Sequence, residues 1–363
     1  MKKVFYFLIF VLVIIYSCDN ESEEKLSPLD NYYVRLLSEK PDMEIEVLKC
    51  DKPWEVKFLN YTCMVSLPDK YVMYYIVYTG LSYLTCYAES VDGINWIKPN
   101  LGICEFNGNT ENNIISYHFY AISVTYHDEF FFLLAQVGDN LYLYKSEDGK
   151  SFERLNSFSI PYYCDSQNQI VYDPMADTYK FYLRSWYKST NQNINYNHTD
   201  AFYRSVSYLE SKSPETVNIE MSDNPLWKWG AERMPALSNE LPVIIKNKSD
   251  DDYDVYNACV HRYDDGTFIA YPNLYWHLPE PPKGGKYYND GYTRLGMLYS
   301  VDGKEFVTIT NDYFNYGGYF FLFIPGHVET NSKLIHYYVN FTNTHGDAYK
   351  NKNAIIARIH IKK

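Results

Sequence analysis

Acidic side chains stand at the start of several apolar, strand-like segments of this 363-residue sequence. Glu55 lies in KPWEVKF, Asp165 precedes SQNQIVYD, and Asp254 precedes VYNACV. Carboxylates that face each other carry out acid–base and nucleophilic chemistry. We therefore predict Glu55, Asp165 and Asp254 as catalytic residues. The alternatives are a surface glutamate, a turn aspartate that bonds its own backbone, and a member of a solvated acidic loop.

A second group of residues could bind a ligand beside such carboxylates. Histidines in loop-like, polar and aromatic settings can contact hydroxyl groups, and aromatic rings can stack on an apolar ligand face. Packing in the core is the alternative for the aromatic residues. The predicted binding residues are Trp54, Arg233, Tyr275, His277, Asp290 and His345, and Trp276 could stack in the same way. Glu232 and Asp290 are weaker candidates for the reactive carboxylates.

Other reactive constellations have little support in the sequence. It contains no G-x-S-x-G, no Ser-His-Asp signature and no phosphate-binding loop. Its cysteines show no C-x-x-C spacing, so no zinc site is indicated, and no metal or cofactor is predicted. His118, His127 and His261 alternate with strand residues and are interpreted as structural.

The segments that must position these side chains are strands. Short runs rich in Tyr, Phe, Val and Ile recur between Gly, Asp, Asn and Pro, and no sustained helical period interrupts them. The fold class is therefore predicted as all-β.

A repeated turn indicates which all-β architecture this is. The pattern S-x-D-G-x-x-[W/F] begins at Ser90, Ser146 and Ser300, and residues 208–218 hold a degenerate copy without Asp-Gly. The aspartate should accept bonds from turn amides, the glycine should take positive φ, and the aromatic residue should pack between sheets. Repeat units of about 50–70 residues are expected of propeller blades, and residues 32–363 have room for five of them. The sequence therefore predicts a single-domain, five-bladed β-propeller over residues 32–363. The alternative is a β-sandwich with coincidental turns.

One stretch makes the sequence similar to a known group. YAESVDGINWIKPNLGICEFNGNTENNI, at residues 87–114, resembles a blade of bacterial five-bladed propellers related to glycoside hydrolase families 32 and 43. DKPWE, DSQNQIVYDPMADTYKFYLR and DGYTRLGMLYSVDGKEF also fit, so the resemblance spans roughly residues 51–361. The family 32 motifs NDPNG and EC, and its C-terminal sandwich, are not found in the sequence.

The resemblance implies an oligosaccharide or polysaccharide substrate and exo-acting hydrolysis by paired carboxylates. Three alternatives stay open. The first is a glycan-binding protein without catalysis, and the second is a structural or adhesive surface module. The third is a glycoside phosphorylase, which needs a basic pocket that Arg184, Arg204, Arg233 or Arg294 could supply.

The N-terminus predicts export. Lys2 and Lys3 precede an apolar run that ends at Tyr16-Ser17-Cys18, and acidic residues follow at once. The arrangement resembles a bacterial lipoprotein signal over residues 1–17, with Cys18 lipidated and residues 18–31 as a flexible tether. The acidic tract also resembles that of surface-exported Bacteroidetes lipoproteins. We expect a protein held in the cell envelope, with the lipid as its membrane contact; an ordinary secretory signal is the alternative.

Net charge and cysteine content bear on two further questions, whether the protein binds nucleic acid and whether it forms disulfides. The net charge of −12 disfavours nucleic acid, whose phosphates it would repel. Six cysteines remain besides Cys18, and an oxidising compartment permits disulfides. Because the six are scattered through strand-like runs, buried thiols are at least as expected as bridges.

Overall fold

The architecture is a five-bladed β-propeller, as the sequence predicts. The computed structural model describes residues 27–138, 140–156, 158, 164, 166–188, 202–217, 241–247, 253–278 and 290–362. Within them, 23 strands form five antiparallel sheets, one for each blade. None of the helices in these ranges is long and apolar enough to cross a membrane.

The strands follow one another around the ring in chain order. The first strand, β1 (Met43–Lys49), precedes blade one, which holds β2 (Phe58–Ser66), β3 (Tyr71–Tyr78), β4 (Tyr83–Ser90) and β5 (Ile114–Ser116). Blade two holds β6 (Tyr120–His127), β7 (Phe130–Val137), β8 (Asn140–Ser146) and β9 (Glu153–Arg154). Blade three holds β10 (Gln169–Asp173), β11 (Thr178–Lys188), β12 (Phe202–Ser211) and β13 (Val243–Ile245).

The last two blades have interrupted inner strands. Blade four holds β14 (Tyr253–Val255), β15 (Val260–Arg262), β16 (Phe268–Ala270), β17 (Asn273–His277), β18 (Gly291–Ser300) and β19 (Val307–Asn315). Blade five holds β20 (Phe321–Phe323), β21 (Val328–Glu329), β22 (Lys333–Asn340) and β23 (Ala354–Ile361). Its outer strand is β1, which pairs antiparallel with β23 and so closes the ring.

Polar side chains tie the innermost strands together around the axis. The Gln167 amide, just before β10, donates to the carbonyls of Thr62 and Ile122 in blades one and two, both at 2.8 Å. The backbone N–H of Val260 donates to the Gln169 side chain at 2.7 Å and joins blade four to blade three. The innermost strands thus run side by side and begin at the same end of the axis.

The Asp-Gly turns have the predicted geometry. In the first, Asp92 Oδ1 accepts from the backbone N–H groups of Ile94 and Asn95, both at 2.8 Å. Gly93 has φ of 72°, a value that suits glycine. All three turns follow the strand that is third from the axis in its sheet, namely β4, β8 or β18. Blade three has a short 3₁₀ helix (Pro214–Thr216) after β12, at the place where the sequence shows a degenerate copy.

Each Asp-Gly turn docks on a tyrosine of the preceding blade. The hydroxyls of Tyr337, Tyr74 and Tyr182 donate to the turn glycine carbonyls at 2.7 Å in every case. The aromatic residue of the repeat packs edge-on against the same tyrosine; for Trp96 and Tyr337 the ring centroids are 6.0 Å apart. The expected packing of these rings between blades is confirmed.

A short helix that the sequence pattern did not indicate packs across blades four and five. α1 (Tyr32–Ser38) buries Tyr33, Val34 and Leu37. Asn31 caps it and also donates to Thr267 at 2.8 Å. The described end of the expected tether, residues 27–31, is therefore held against blade four and includes a 3₁₀ helix (Pro28–Asp30). A further 3₁₀ helix spans His345–Lys350.

The cysteines of the described residues are thiols. Cys50, Cys63, Cys86, Cys104, Cys164 and Cys259 are all free, and only Cys104 is partly exposed. The structure thus favours buried thiols over disulfides.

Candidate functional site

An ion pair between blades three and four marks the end of the axis at which the inner strands begin. Asp254 lies in β14 and is 2% exposed. Its Oδ2 accepts from Arg204 Nη1 at 2.7 Å, and Oδ1 accepts from the Arg204 backbone N–H at 3.1 Å. His277 Nε2 lies 3.1 Å from Oδ2. Strand pairing places Asp254 opposite Tyr275 in β17, which brings His277 alongside.

The partners of Asp254 keep it ionised. Burial acts to raise the pKa of its carboxyl, but the Arg204 guanidinium and then His277 outweigh burial, so the pKa lies below the ordinary value. An ionised carboxylate can serve as a base or a nucleophile, whereas a general acid needs a raised pKa. The geometry therefore suits Asp254 to accept a proton or to stabilise positive charge.

Aromatic side chains line the same place. The Tyr256 hydroxyl lies 3.3 Å from that of Tyr61 and 3.4 Å from His345 Nε2. Tyr275 packs edge-on against His277 and His345, with ring centroids 4.7 and 5.4 Å apart. The arrangement offers phenol and imidazole groups beside flat apolar rings, a combination that suits a sugar.

Two guanidinium groups converge on this aromatic cluster. Arg184 donates from Nη2 to the Tyr256 carbonyl at 2.8 Å, and its guanidinium carbon lies 5.1 Å from the Tyr256 ring centroid. The Arg204 guanidinium lies 5.9 Å from the same ring and 5.4 Å from that of Tyr275. Both arginines are at most 5% exposed. The site therefore combines one described carboxylate, Asp254, with two buried cations.

Asp290 supports the segment that carries His345. Its carboxylate accepts from Thr344 Oγ1 at 2.9 Å, from the Gly346 backbone N–H at 2.6 Å and from the Gly291 N–H at 2.8 Å. A side chain at Gly346 would collide with it, since an added Cβ would lie 2.9 Å from Asp290 Cγ. These contacts give Asp290 a positioning role.

We call Asp254, Arg204, Arg184, Tyr256, Tyr275, His277 and His345 the Asp254 site. Asp254, Tyr275, His277 and His345 were predicted as site residues from the sequence, and Arg184 and Arg204 as possible phosphate ligands. Tyr256 and its neighbour Tyr61 were not predicted as site residues. Tyr61 lies in β2, the inner strand of blade one, as Asp254 lies at the inner edge of blade four.

Glu55 and Trp54 lie elsewhere. Glu55 is fully buried, and its carboxylate accepts from Tyr75 Oη at 2.8 Å, from Lys98 Nζ at 2.7 Å and from two backbone N–H groups. Trp54 donates to Asn113 at 2.8 Å and is 8% exposed. These contacts favour structural roles, because the Glu55 carboxylate has no exposed surface to offer a substrate.

Trp276 and Arg294 lie side by side in blade four, with the Arg294 guanidinium carbon 5.1 Å from the Trp276 ring centroid. The remaining predicted residues lie outside the described ranges. They are Asp165, Glu232, Arg233 and Cys18.

Structural comparison finds the same fold in carbohydrate-related proteins. A protein described as a glycoside hydrolase has 11% sequence identity to this chain and a TM-score of 0.50, with 88% of this chain and 92% of that chain covered. BT0996, solved as a complex with RGII, has 12% sequence identity and a TM-score of 0.52, and the match covers 90% of this chain and 93% of BT0996. A mannose phosphorylase from Leishmania mexicana, solved with a phosphate ion, has 8% sequence identity and a TM-score of 0.50, and the match covers 88% of each chain.

No protein-family model and no curated protein matches the sequence. At these identities the structural likeness shows the fold alone. It is the five-bladed propeller fold of glycoside hydrolases that the sequence resemblance implies.

Proposed function

We propose that this protein is a glycan-active enzyme that cleaves a glycosidic bond at the Asp254 site. The observation that carries the proposal is the convergence of Asp254, His277, Tyr275 and His345 in one place. An ionised carboxylate, two imidazoles and neighbouring phenol rings supply a base or nucleophile, hydroxyl-binding groups and an apolar surface for a sugar ring. The likeness in fold to glycoside hydrolases supports the same substrate class.

Hydrolysis is the first candidate reaction. In it, Asp254 would act as the base or nucleophile, held ionised by Arg204, and a second acid would protonate the leaving oxygen. Asp165 remains the predicted second carboxylate, since it stands just before the inner strand of blade three.

Phosphorolysis is the second candidate, and the two arginines favour it. Guanidinium groups bind phosphate with paired hydrogen bonds, and Arg184 and Arg204 both flank the Tyr256 ring. Phosphate would replace water as the nucleophile. The likeness in fold to a mannose phosphorylase supports including this reaction.

One screen separates the candidates. The purified chain is tested on aryl glycosides and on plant and host polysaccharides, with and without inorganic phosphate. Release of free sugar in both conditions identifies hydrolysis, and formation of a sugar phosphate identifies phosphorolysis. Binding by calorimetry without any product would identify a glycan-binding protein and overturn the enzymatic proposal.

The site assignment is tested with Asp254→Asn and a matched control, Asp173→Asn. Asp173 is also buried and pairs with an arginine, with Arg262 Nε at 3.0 Å, but it belongs to the far end of β10. Asp254→Asn should lower kcat about 10²–10⁴-fold, and Asp173→Asn should leave kcat unchanged at a temperature where both are folded. Equal activity of the two variants would remove Asp254 from the chemistry.

We also propose that Cys18 carries the lipid that anchors the protein in the cell envelope. The signal-like run before Cys18 supports this. Metabolic labelling with a fatty acid in a bacterial host should mark the wild-type chain and not Cys18→Ala. Labelling of both would contradict it.

A further inference from the structure

A cluster of three histidines lies at the opposite end of the axis from the Asp254 site. His261 is in β15 of blade four, His327 precedes β21 of blade five, and His336 is in β22 of the same blade. One ring nitrogen from each lies within 4.8 Å of the other two. His261 and His336 are 1% exposed, and the His327 side chain is 11% exposed. We call these residues the histidine cluster.

Each histidine has an outer partner at Nε2. His336 Nε2 lies 2.9 Å from the Tyr263 hydroxyl, His327 Nε2 lies 3.5 Å from Glu329 Oε2, and His261 Nε2 lies 3.3 Å from Cys259 Sγ. Such partners fix the ring orientation of metal-binding histidines and leave the other nitrogen for the metal. The backbone carbonyl of Ile324 also lies close to the His261 ring.

The three Nδ1 atoms are the nitrogens left over. His261 Nδ1 and His327 Nδ1 are 3.2 Å apart. Two nitrogens bound to one tetrahedral zinc ion are separated by about 3.3 Å, given a Zn–N distance of about 2.0–2.1 Å. His336 Nδ1 is buried and has no hydrogen-bond partner among the described residues. A buried nitrogen without a partner is costly unless something binds it.

The surroundings suit a cation that prefers imidazole. His261 and His336 are both 1% exposed, and burial favours the neutral form of imidazole that a metal ligand requires. The Glu329 carboxylate accepts from Tyr33 Oη at 2.6 Å and pairs with Lys362 Nζ, so an acidic group that is already paired with one ammonium stands behind His327. Arg358 lies near His336 and opposes a cation.

An open route leads to the cluster. A cavity of about 610 Å³ lies where the inner strands of all five blades end, and His261, His327 and Glu329 are among its lining residues. Arg262 and Asp264 also line it. A metal held by three histidines would keep a fourth position facing this cavity, as in zinc sites that bind water or a substrate.

We propose that His261, His327 and His336 bind one divalent transition-metal ion, with Zn²⁺ as the preferred metal. The site joins blade four to blade five and presents an open coordination position to the axial cavity. It is independent of the proposed glycan chemistry at the Asp254 site.

Metal binding is tested on the untagged full chain after treatment with a chelator. Zn²⁺ is titrated in competition with a chromophoric chelator, and bound metal is counted by mass spectrometry after dialysis. His327→Gln removes one ligand from the most exposed position of the cluster. His127→Gln is the control, because His127 is also partly exposed and stacks on Tyr172 outside the cluster.

We expect one Zn²⁺ per chain for the wild type and for His127→Gln, and about 100-fold weaker binding for His327→Gln. Glu329→Gln should weaken binding about 10–100-fold through its outer contact. Zn²⁺ should raise the thermal unfolding midpoint of the wild type and not that of His327→Gln, and Co²⁺ should give the intense visible absorption of a tetrahedral site.

Two results would overturn the proposal. The first is a wild-type chain that retains no Zn²⁺ after dialysis, which would leave the 3.2 Å contact as an N–H···N hydrogen bond between two histidines. The second is equal Zn²⁺ affinity in His327→Gln and the wild type while circular dichroism shows both to be folded.

Discussion

Two buried carboxylates of this protein differ in role because their hydrogen-bond partners differ. Glu55 and Asp254 are both buried acids, and both were predicted to be catalytic. Glu55 accepts from a lysine, a tyrosine and two backbone amides and holds the entry to blade one together. Asp254 accepts from an arginine and faces a histidine that is still partly exposed.

The Asp254–Arg204 pair should contribute to stability as well as to the site. Asp254→Asn leaves the buried Arg204 without its carboxylate, so we expect the free energy of unfolding to fall by about 3–5 kcal/mol. The double variant Asp254→Asn/Arg204→Met should recover part of that loss, because neither charge then remains. Urea unfolding at neutral pH measures both, and a double variant as unstable as the summed single variants would contradict this account.

The same pair should make stability depend on pH in a defined direction. Because the folded-state pKa of Asp254 lies below the ordinary value of 3.8, its contribution is fully present above pH 3.8. It is lost as pH falls through the lowered pKa. The difference in unfolding free energy between wild type and Asp254→Asn should therefore shrink as pH falls below 4. A difference that grows below pH 4 would show the opposite shift.

At the scale of elements, the Asp-Gly turn connects neighbouring blades through a hydrogen bond. The turn of each blade that has it presents a carbonyl to a tyrosine of the blade before it. In blades one and three that tyrosine comes three residues after the residue that pairs with Ser90 or Ser211. Blade two has Leu134 at that position, three residues after the residue that pairs with Ser146. Blade three, which would dock there, has lost its Asp-Gly turn. The two losses match, because a turn carbonyl would find no hydroxyl on leucine.

Two glycines with the same backbone angle distinguish the energetic contribution of docking between blades from the conformational requirement of the turn. Gly303 and Gly102 both have φ of 71°, but an added Cβ at Gly303 would lie 2.8 Å from the Tyr182 hydroxyl, whereas at Gly102 it would meet nothing within 4 Å. We expect Gly102→Ala to cost about 1–2 kcal/mol for the strained angle. Gly303→Ala should cost about 1–3 kcal/mol more. Equal losses in thermal or urea unfolding would show that the close docking contributes nothing.

At the scale of the whole molecule, the fold could be predicted and the site only in part. The Asp-Gly turns and their aromatic residues are local patterns, so three copies indicated the propeller. Asp254, Tyr275 and His277 were predicted separately, and the pairing of β14 with β17 brings them together in one sheet. Glu55 was harder, since its burial depends on Tyr75 and Lys98, which are distant in sequence. The proposed metal site could not be predicted locally, because His327 and His336 belong to a different blade from His261.

Closure of the ring by β1 can be tested with shortened chains. A chain that begins at residue 42 lacks α1 but keeps β1, and one that begins at residue 51 lacks both. Without β1, the edge of β23 is left unpaired. We expect the shorter chain to unfold at a lower temperature and to self-associate, as measured by light scattering after gel filtration. Identical behaviour of the two chains would mean that β1 is not needed for closure.

The pairing of β1 with β23 also imposes an order of events on biosynthesis. More than 300 residues separate these two strands, so at about 5–20 residues per second a ribosome needs about 15–60 s to supply the partner. During that time β1 has no partner strand, because β23 has not yet been synthesised. Its alternating sequence, Met-Glu-Ile-Glu-Val-Leu-Lys, puts glutamates beside every apolar residue of its first half. Those charges discourage the waiting strand from pairing with a second nascent copy.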